Sequence, residues 1–159
     1  MYNSVCMLKI ISIVIIIGVV GVVVFAAYMR ETNPLSAYES KILQIGDAKI
    51  KVLIADTQEK RTKGLMGVTE LVADVGMLFV FSDASPRTFW NKNTLIPLDL
   101  IWIASGRVVG VSSLPSITQS GNQIISLPSP NAVDWVLEVN AGWASARGIE
   151  AGKKVEQVK

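Results

Sequence analysis

The chain has 159 residues, half of them hydrophobic, with fifteen Lys and Arg against thirteen Asp and Glu, one cysteine and no histidine. The missing histidine removes Ser-His-Asp and Cys-His catalysis, most zinc sites and an easy proton switch near neutral pH. A single cysteine, Cys6, leaves the globular part without an internal disulfide or a thiolate metal cluster.

Residues 1–9 form a short N-terminal segment. Ile10 to Met29 then runs without an Asp, Glu, Lys or Arg. As a helix rising 1.5 Å per residue it reaches about 30 Å, the thickness of a bilayer core. A retained transmembrane anchor over 10–29 is expected. The run is longer than the apolar part of a cleaved signal, and Ala26-Ala27-Tyr28 is a poor cleavage site; cleavage stays the alternative. Lys9 and Arg30 flank the run and nearly balance, so the positive-inside rule decides little. Very short N-termini usually stay in the cytoplasm, which puts the globular domain on the extracytoplasmic side. Without Lys9 and Arg30, thirteen basic residues face thirteen acidic ones. Such a domain offers no basic surface for nucleic acid.

Residues 30–40 make a polar linker with Pro34, and 41–159 are a single globular domain. Lys41–Ala55 reads as two strands around the turn Gly46-Asp47. Asp56 is placed as a helix N-cap, with Glu59 at the capping-box position. That helix is expected to run to about Met66 and stop at Gly67, with another short turn over Thr69–Ala73. Gly76–Phe81 has the pattern of a buried strand, and Thr88–Asn93 of a second. Leu98–Ala104 and Arg107–Leu114 form a hairpin across Ser105-Gly106. Ser112–Pro130, rich in Ser, Pro, Gly and Asn, is an exposed loop holding one short strand at Gln123–Ser126. Asp134–Val139 is a strand, Asn140 caps a short helix through Arg147, and Gly148 ends it. Lys154–Val158 closes the domain as a strand. The fold class is therefore α+β and mainly β: a barrel-like or half-closed antiparallel sheet with two or three short helices, preceded by one transmembrane helix.

Residues 87–103, RTFWNKNTLIPLDLIWI, set polar groups inside an apolar stretch. Buried without partners, such groups cost about 1–3 kcal/mol each. Strand alternation puts Trp90, Lys92 and Thr94 on one face and Phe89, Asn91 and Asn93 on the other. Asp99 shares a face with Ile101 and Ile103, and Glu138 sits between Leu137 and Val139. A carboxylate so placed wants a cation or backbone N–H donors. Arg61, Lys92, Asp99 and Glu138 all fall in segments that otherwise read as core. One reading is a structural network of mutually neutralising charges. Another is a pocket in which Arg61, Lys92, Asn93 and Thr94 hold a small anionic or polar ligand against Trp90, with Asp99 and Glu138 beside them. A third is acid–base chemistry by Lys92 with Asp99 or Glu138. No nucleophile is positioned and no carboxylate spacing suits a metal, so an enzyme is not favoured, and neither a metal nor a cofactor is expected. Met66, Met77, Phe79 and Phe81 read as core packing.

The ordered motifs Arg61…Gly64-Leu65-Met66, Gly76-Met77-Leu78-Phe79, Trp90-x-Lys92-Asn93-Thr94, Pro97-Leu98-Asp99 and Leu137-Glu138-Val139-Asn140-x-Gly142 resemble the domain-of-unknown-function family 192 over about residues 42–158. The resemblance implies a compact, mainly β domain with small helices, often behind a signal or anchor, and no defined activity. Two positions depart from the family pattern: Asn91, where methionine is usual, and Gly67, where a basic residue is. The function expected is a membrane-tethered binding module for a small ligand or a partner protein. The alternatives are an enzyme using Lys92, and an assembly domain contacting others through the loop 112–130.

Overall fold

The computed structural model describes residues 20–22 and 35–158. The expected membrane span over 10–29 lies outside these residues except for 20–22, which are helical. Among the described residues no helix is long and apolar enough to cross a membrane.

The domain from Tyr38 onward is built on nine strands and two short helices. They run β1 (Ser40–Ile45), β2 (Ala48–Ala55), α1 (Gln58–Lys63), β3 (Val75–Ser85), β4 (Thr88–Trp90), β5 (Leu98–Ala104), β6 (Arg107–Leu114), β7 (Ser126–Pro128), β8 (Val133–Asn140), α2 (Trp143–Ala146) and β9 (Val155–Val158). Seven strands make one sheet in the order β6-β5-β8-β3-β2-β1-β9, while β4 and β7 pair as a separate ribbon. The two ends of the sheet meet where Arg107, at the start of β6, forms an antiparallel bridge with Lys154, the residue before β9. Three backbone bonds secure it: Val108 N–H to Lys153 O, Gly152 N–H to Val108 O and Val155 N–H to Gly106 O. The sheet is thus curled into a half-closed barrel, and much of its edge is covered.

The expectation of an antiparallel sheet needs one correction. β2 and β3 pair in parallel, with Val52 opposite Gly76 and Ile54 opposite Leu78. A parallel pair requires a crossover, and residues 56–74, carrying α1, provide it. α1 is also shorter than expected. Its N-cap is Thr57, whose side chain accepts the Lys60 N–H, and it ends at Gly64. Thr69–Ala73 adds no helix.

Register sorts the side chains into two buried layers. Leu43, Ile45, Val52, Ile54, Leu78, Ile101, Ile103, Leu137 and Val139 fill the barrel interior, closed by Trp143, Ile149 and Val155. The outer face of the same central strands carries Leu53, Met77, Phe79, Leu98, Leu100, Trp102 and Val136, all buried. The crossover and the β4–β7 ribbon cover it. Phe89 of β4 packs edge-on against both Phe79 and Trp102, with ring centroids 4.8 and 5.7 Å apart. This second layer positions the candidate site.

Candidate functional site

Glu138 lies on β8 opposite Met77 of β3 and Leu100 of β5. All three point to the outer face. Asp99 stands opposite Val139, so the two carboxyls lie on opposite sides of the sheet. Both are buried, at 5% and 4% exposure.

Asp99 is explained by its surroundings. Its Oδ2 accepts the Ala144 N–H at 3.1 Å, and its Oδ1 faces the Ser113 hydroxyl at 3.5 Å. Ala144 is in the first turn of α2, which has no cap from its own N-cap residue, Gly142. Asp99 therefore caps α2 from across the barrel interior. Asn140, expected in that role, instead donates from Nδ2 to Leu71 O at 2.8 Å, fastening the crossover loop.

Glu138 has no such explanation: its carboxyl makes no hydrogen bond or ion pair with a described residue. Burial pushes its pKa up to about 8, so it holds its proton at neutral pH. It lines a cavity of about 30 Å³ with Arg61, Lys63, Met66, Phe79, Trp90 and Thr94. A larger hollow of about 280 Å³ adjoins this one. It is lined by Gln58, Arg61, Thr62, Phe79, Phe81, Arg87, Thr88, Phe89 and Trp90. Arg61, Thr62, Phe79 and Trp90 are common to both, so the two make one groove with Glu138 at its narrow end.

Two arginines dominate the wide end. Arg61 donates from Nη1 to the carbonyls of Asp56 and Val80, each at 2.8 Å. Arg87 donates from Nη2 to Asp83 O and Oδ1, each at 2.9 Å. Their guanidinium carbons sit 5.2 and 4.0 Å from the Phe81 ring centre, which orients both cations. The Arg87 Nε is buried and has no hydrogen-bond partner. Trp90, 48% exposed, forms the rim. Among the described residues no three acidic or cysteine side chains gather as a metal site.

The expected convergence of Arg61, Lys92, Asp99 and Glu138 is therefore half right. Arg61 and Glu138 line one groove with Trp90 and Thr94, whereas Asp99 is on the far side of the sheet. Lys92 and Asn93 are exposed and form a turn. β4 ends at Trp90, and Asn93 adopts a left-handed conformation with φ +55°. That turn breaks the alternation on which a shared face for Trp90, Lys92 and Thr94 depended. Neither a neutralising network nor a Lys92–carboxylate pair is formed. Arg87 went unrecognised in the sequence because a single arginine after Ser85-Pro86 resembles any loop cation.

Asn91, the polar departure in the motif, is wholly buried. Its Nδ2 donates to Ser120 Oγ at 2.9 Å, and its Oδ1 accepts the Ile125 N–H at 2.8 Å. It clamps the loop between β6 and β7 and does not line the groove.

A family model described as an uncharacterized ACR matches residues 41–157. The chain belongs to the DUF192 family. Two solved structures are similar to this chain. One, from Sinorhizobium meliloti 1021 and described as a candidate transcription regulator, is 30% identical with a TM-score of 0.68, covering 76% of this chain and 95% of that one. The other, a protein of unknown function from Novosphingobium aromaticivorans DSM 12444, is 31% identical with a TM-score of 0.68, covering 78% and 89%. No curated protein matches. The DUF192 assignment fixes the fold and leaves the activity open.

Proposed function

We propose that this domain is a binding module for a small anionic ligand held in the groove between Arg61, Arg87 and Trp90. The observation that carries the reading is the pair of guanidinium groups, Arg61 and Arg87, that line one hollow around the Phe81 ring. Their remaining N–H groups can donate to a carboxylate or phosphate oxygen. Phe79, Phe89 and Trp90 supply apolar walls for the rest of the ligand, a common pairing of a few polar anchors with aromatic lining. The apolar run 10–29 tethers the module to a membrane, with the domain on the extracytoplasmic side. The role described for the Sinorhizobium relative has little support here, because the domain's charges balance and two arginines around one ring make no surface for a phosphate backbone.

Melting curves in butyrate, inorganic phosphate and sulfate test the proposal. A ligand that binds only the folded state raises stability by RT ln(1 + [L]/Kd), about 2.7 kcal/mol at a hundredfold excess over Kd. At least one of these anions is expected to raise the melting temperature of the native protein, and Arg87→Lys to lose most of that rise by replacing the planar fork of donors with a single ammonium while keeping the charge. An equal rise in both proteins, or none in either, would refute it.

A further inference from the structure

Resting on the groove reading above, we propose that Glu138 acts as an uncharged hydrogen-bond donor at the narrow end, so that the ligand is an oxyanion bearing a second, neutral oxygen acceptor. That acceptor, a carbonyl or ether oxygen that cannot itself donate, meets Glu138 while the anionic end meets Arg87.

Geometry carries this. Glu138 is 5% exposed, lines the small cavity and lacks a partner among the described residues. The small cavity opens beside the arginine hollow through shared walls, Phe79 and Trp90 among them. The proposed ligand spans the two hollows, with its methylene groups along those rings. About 30 Å³ has room for a water or one ligand oxygen and little more.

The charges decide between a donor and an ion at this position. The charged groups lining the small cavity besides Glu138 are Arg61 and Lys63, from α1. From β3 and β5 the neighbours on its face are Met77, Phe79, Leu98 and Leu100, all apolar; on β8 itself Asp134 shares the face two pairs away. Among the described residues no acidic side chain besides Glu138 lines the small cavity, so a ligand ammonium group would find no second carboxylate there, whereas a neutral oxygen can accept from the protonated carboxyl. Burial holds the Glu138 proton up to about pH 8. The bound state needs that proton, so binding weakens once it is lost.

The test compares hexanoate with 4-oxohexanoate and 5-oxohexanoate, which differ from it only by a carbonyl oxygen, a group that accepts a hydrogen bond and cannot donate one. Binding to the full chain is measured by calorimetry at about pH 6.5 and about pH 9. At the lower pH one keto acid is expected to bind about three- to tenfold more tightly than hexanoate, the worth of one neutral hydrogen bond. At the higher pH that advantage should vanish in the native protein. In Glu138→Gln, whose amide still donates but does not titrate, it should persist at both. If all three acids bind with equal affinity at both pH values and still depend on Arg87, the donor role is overturned and the groove reading stands. If none binds, both fall.

Discussion

A carboxyl buried from water with no donor to its oxygens keeps its proton, and at Glu138 this ties the stability of the fold to pH. Its ordinary pKa of 4.5 applies to the unfolded chain, and burial raises it to about 8 in the folded one. Between those values the folded state holds the proton more tightly. The stabilising contribution is complete below about pH 4.5 and is lost as pH rises toward about 8, at up to about 1.4 kcal/mol per pH unit. Urea denaturation from pH 5 to 9 should show the native protein weakening across this window. Glu138→Gln should give a nearly flat profile and a more stable protein at the alkaline end. A native profile without that decline would mean that Glu138 ionises freely in the fold. Asp99, as deeply buried, differs in having the Ala144 N–H to accept from.

At the scale of single elements, Asn91 joins β4 to the loop that precedes β7. Removing its amide leaves the Ile125 N–H and the Ser120 hydroxyl without that partner. Asn91→Ala is expected to cost about 1–3 kcal/mol. Limited proteolysis should then cut first within residues 115–125; unchanged cleavage would show that the loop is held by other contacts. Elements whose signals are local were legible in the sequence. The β1–β2 and β5–β6 hairpins appear where alternating strands flank Gly46-Asp47 and Ser105-Gly106. Ser105 and Gly106 both have positive φ, as a tight two-residue hairpin turn requires. Elements decided by distant partners were not legible. The Asn93 turn is anchored by its carbonyl accepting the Gly67 N–H, 26 positions back in the chain at 2.9 Å. The helix cap moved by one residue, from Asp56 to Thr57, since both types can accept the needed bond. Of the groove lining, Arg61, Trp90, Thr94 and Glu138 are conspicuous in the sequence as polar or aromatic residues inside apolar motifs. Arg87 is not, since its place in the groove comes from stacking on Phe81.

Across the whole molecule, β3 is the strand that joins the β2-β1-β9 half of the sheet to the β8-β5-β6 half. Gly76 sits at that seam. A Cβ there would lie 2.7 Å from the Glu138 carbonyl oxygen and 2.9 Å from side-chain atoms of Leu137 and Val139. The backbone cannot yield without parting β3 from β8. Gly76→Ala should therefore lower the melting temperature by on the order of 5 °C or more, which calorimetry would read directly. Little change would mean that the seam is looser than these distances imply. The parallel β2–β3 pair was invisible in the sequence for a related reason: apolar runs identify strands but not their neighbours.

The pairing of β1 with β9, Ile42 opposite Val158, makes the first strand of the domain wait for the last. A ribosome delivers Ser40–Ile45 more than a hundred residues before Val155–Val158. During that interval β1 has β2 on one flank and nothing on the other. The barrel is thus assembled only after translation has passed through the whole domain, and its nascent form presents an open strand that the finished protein hides.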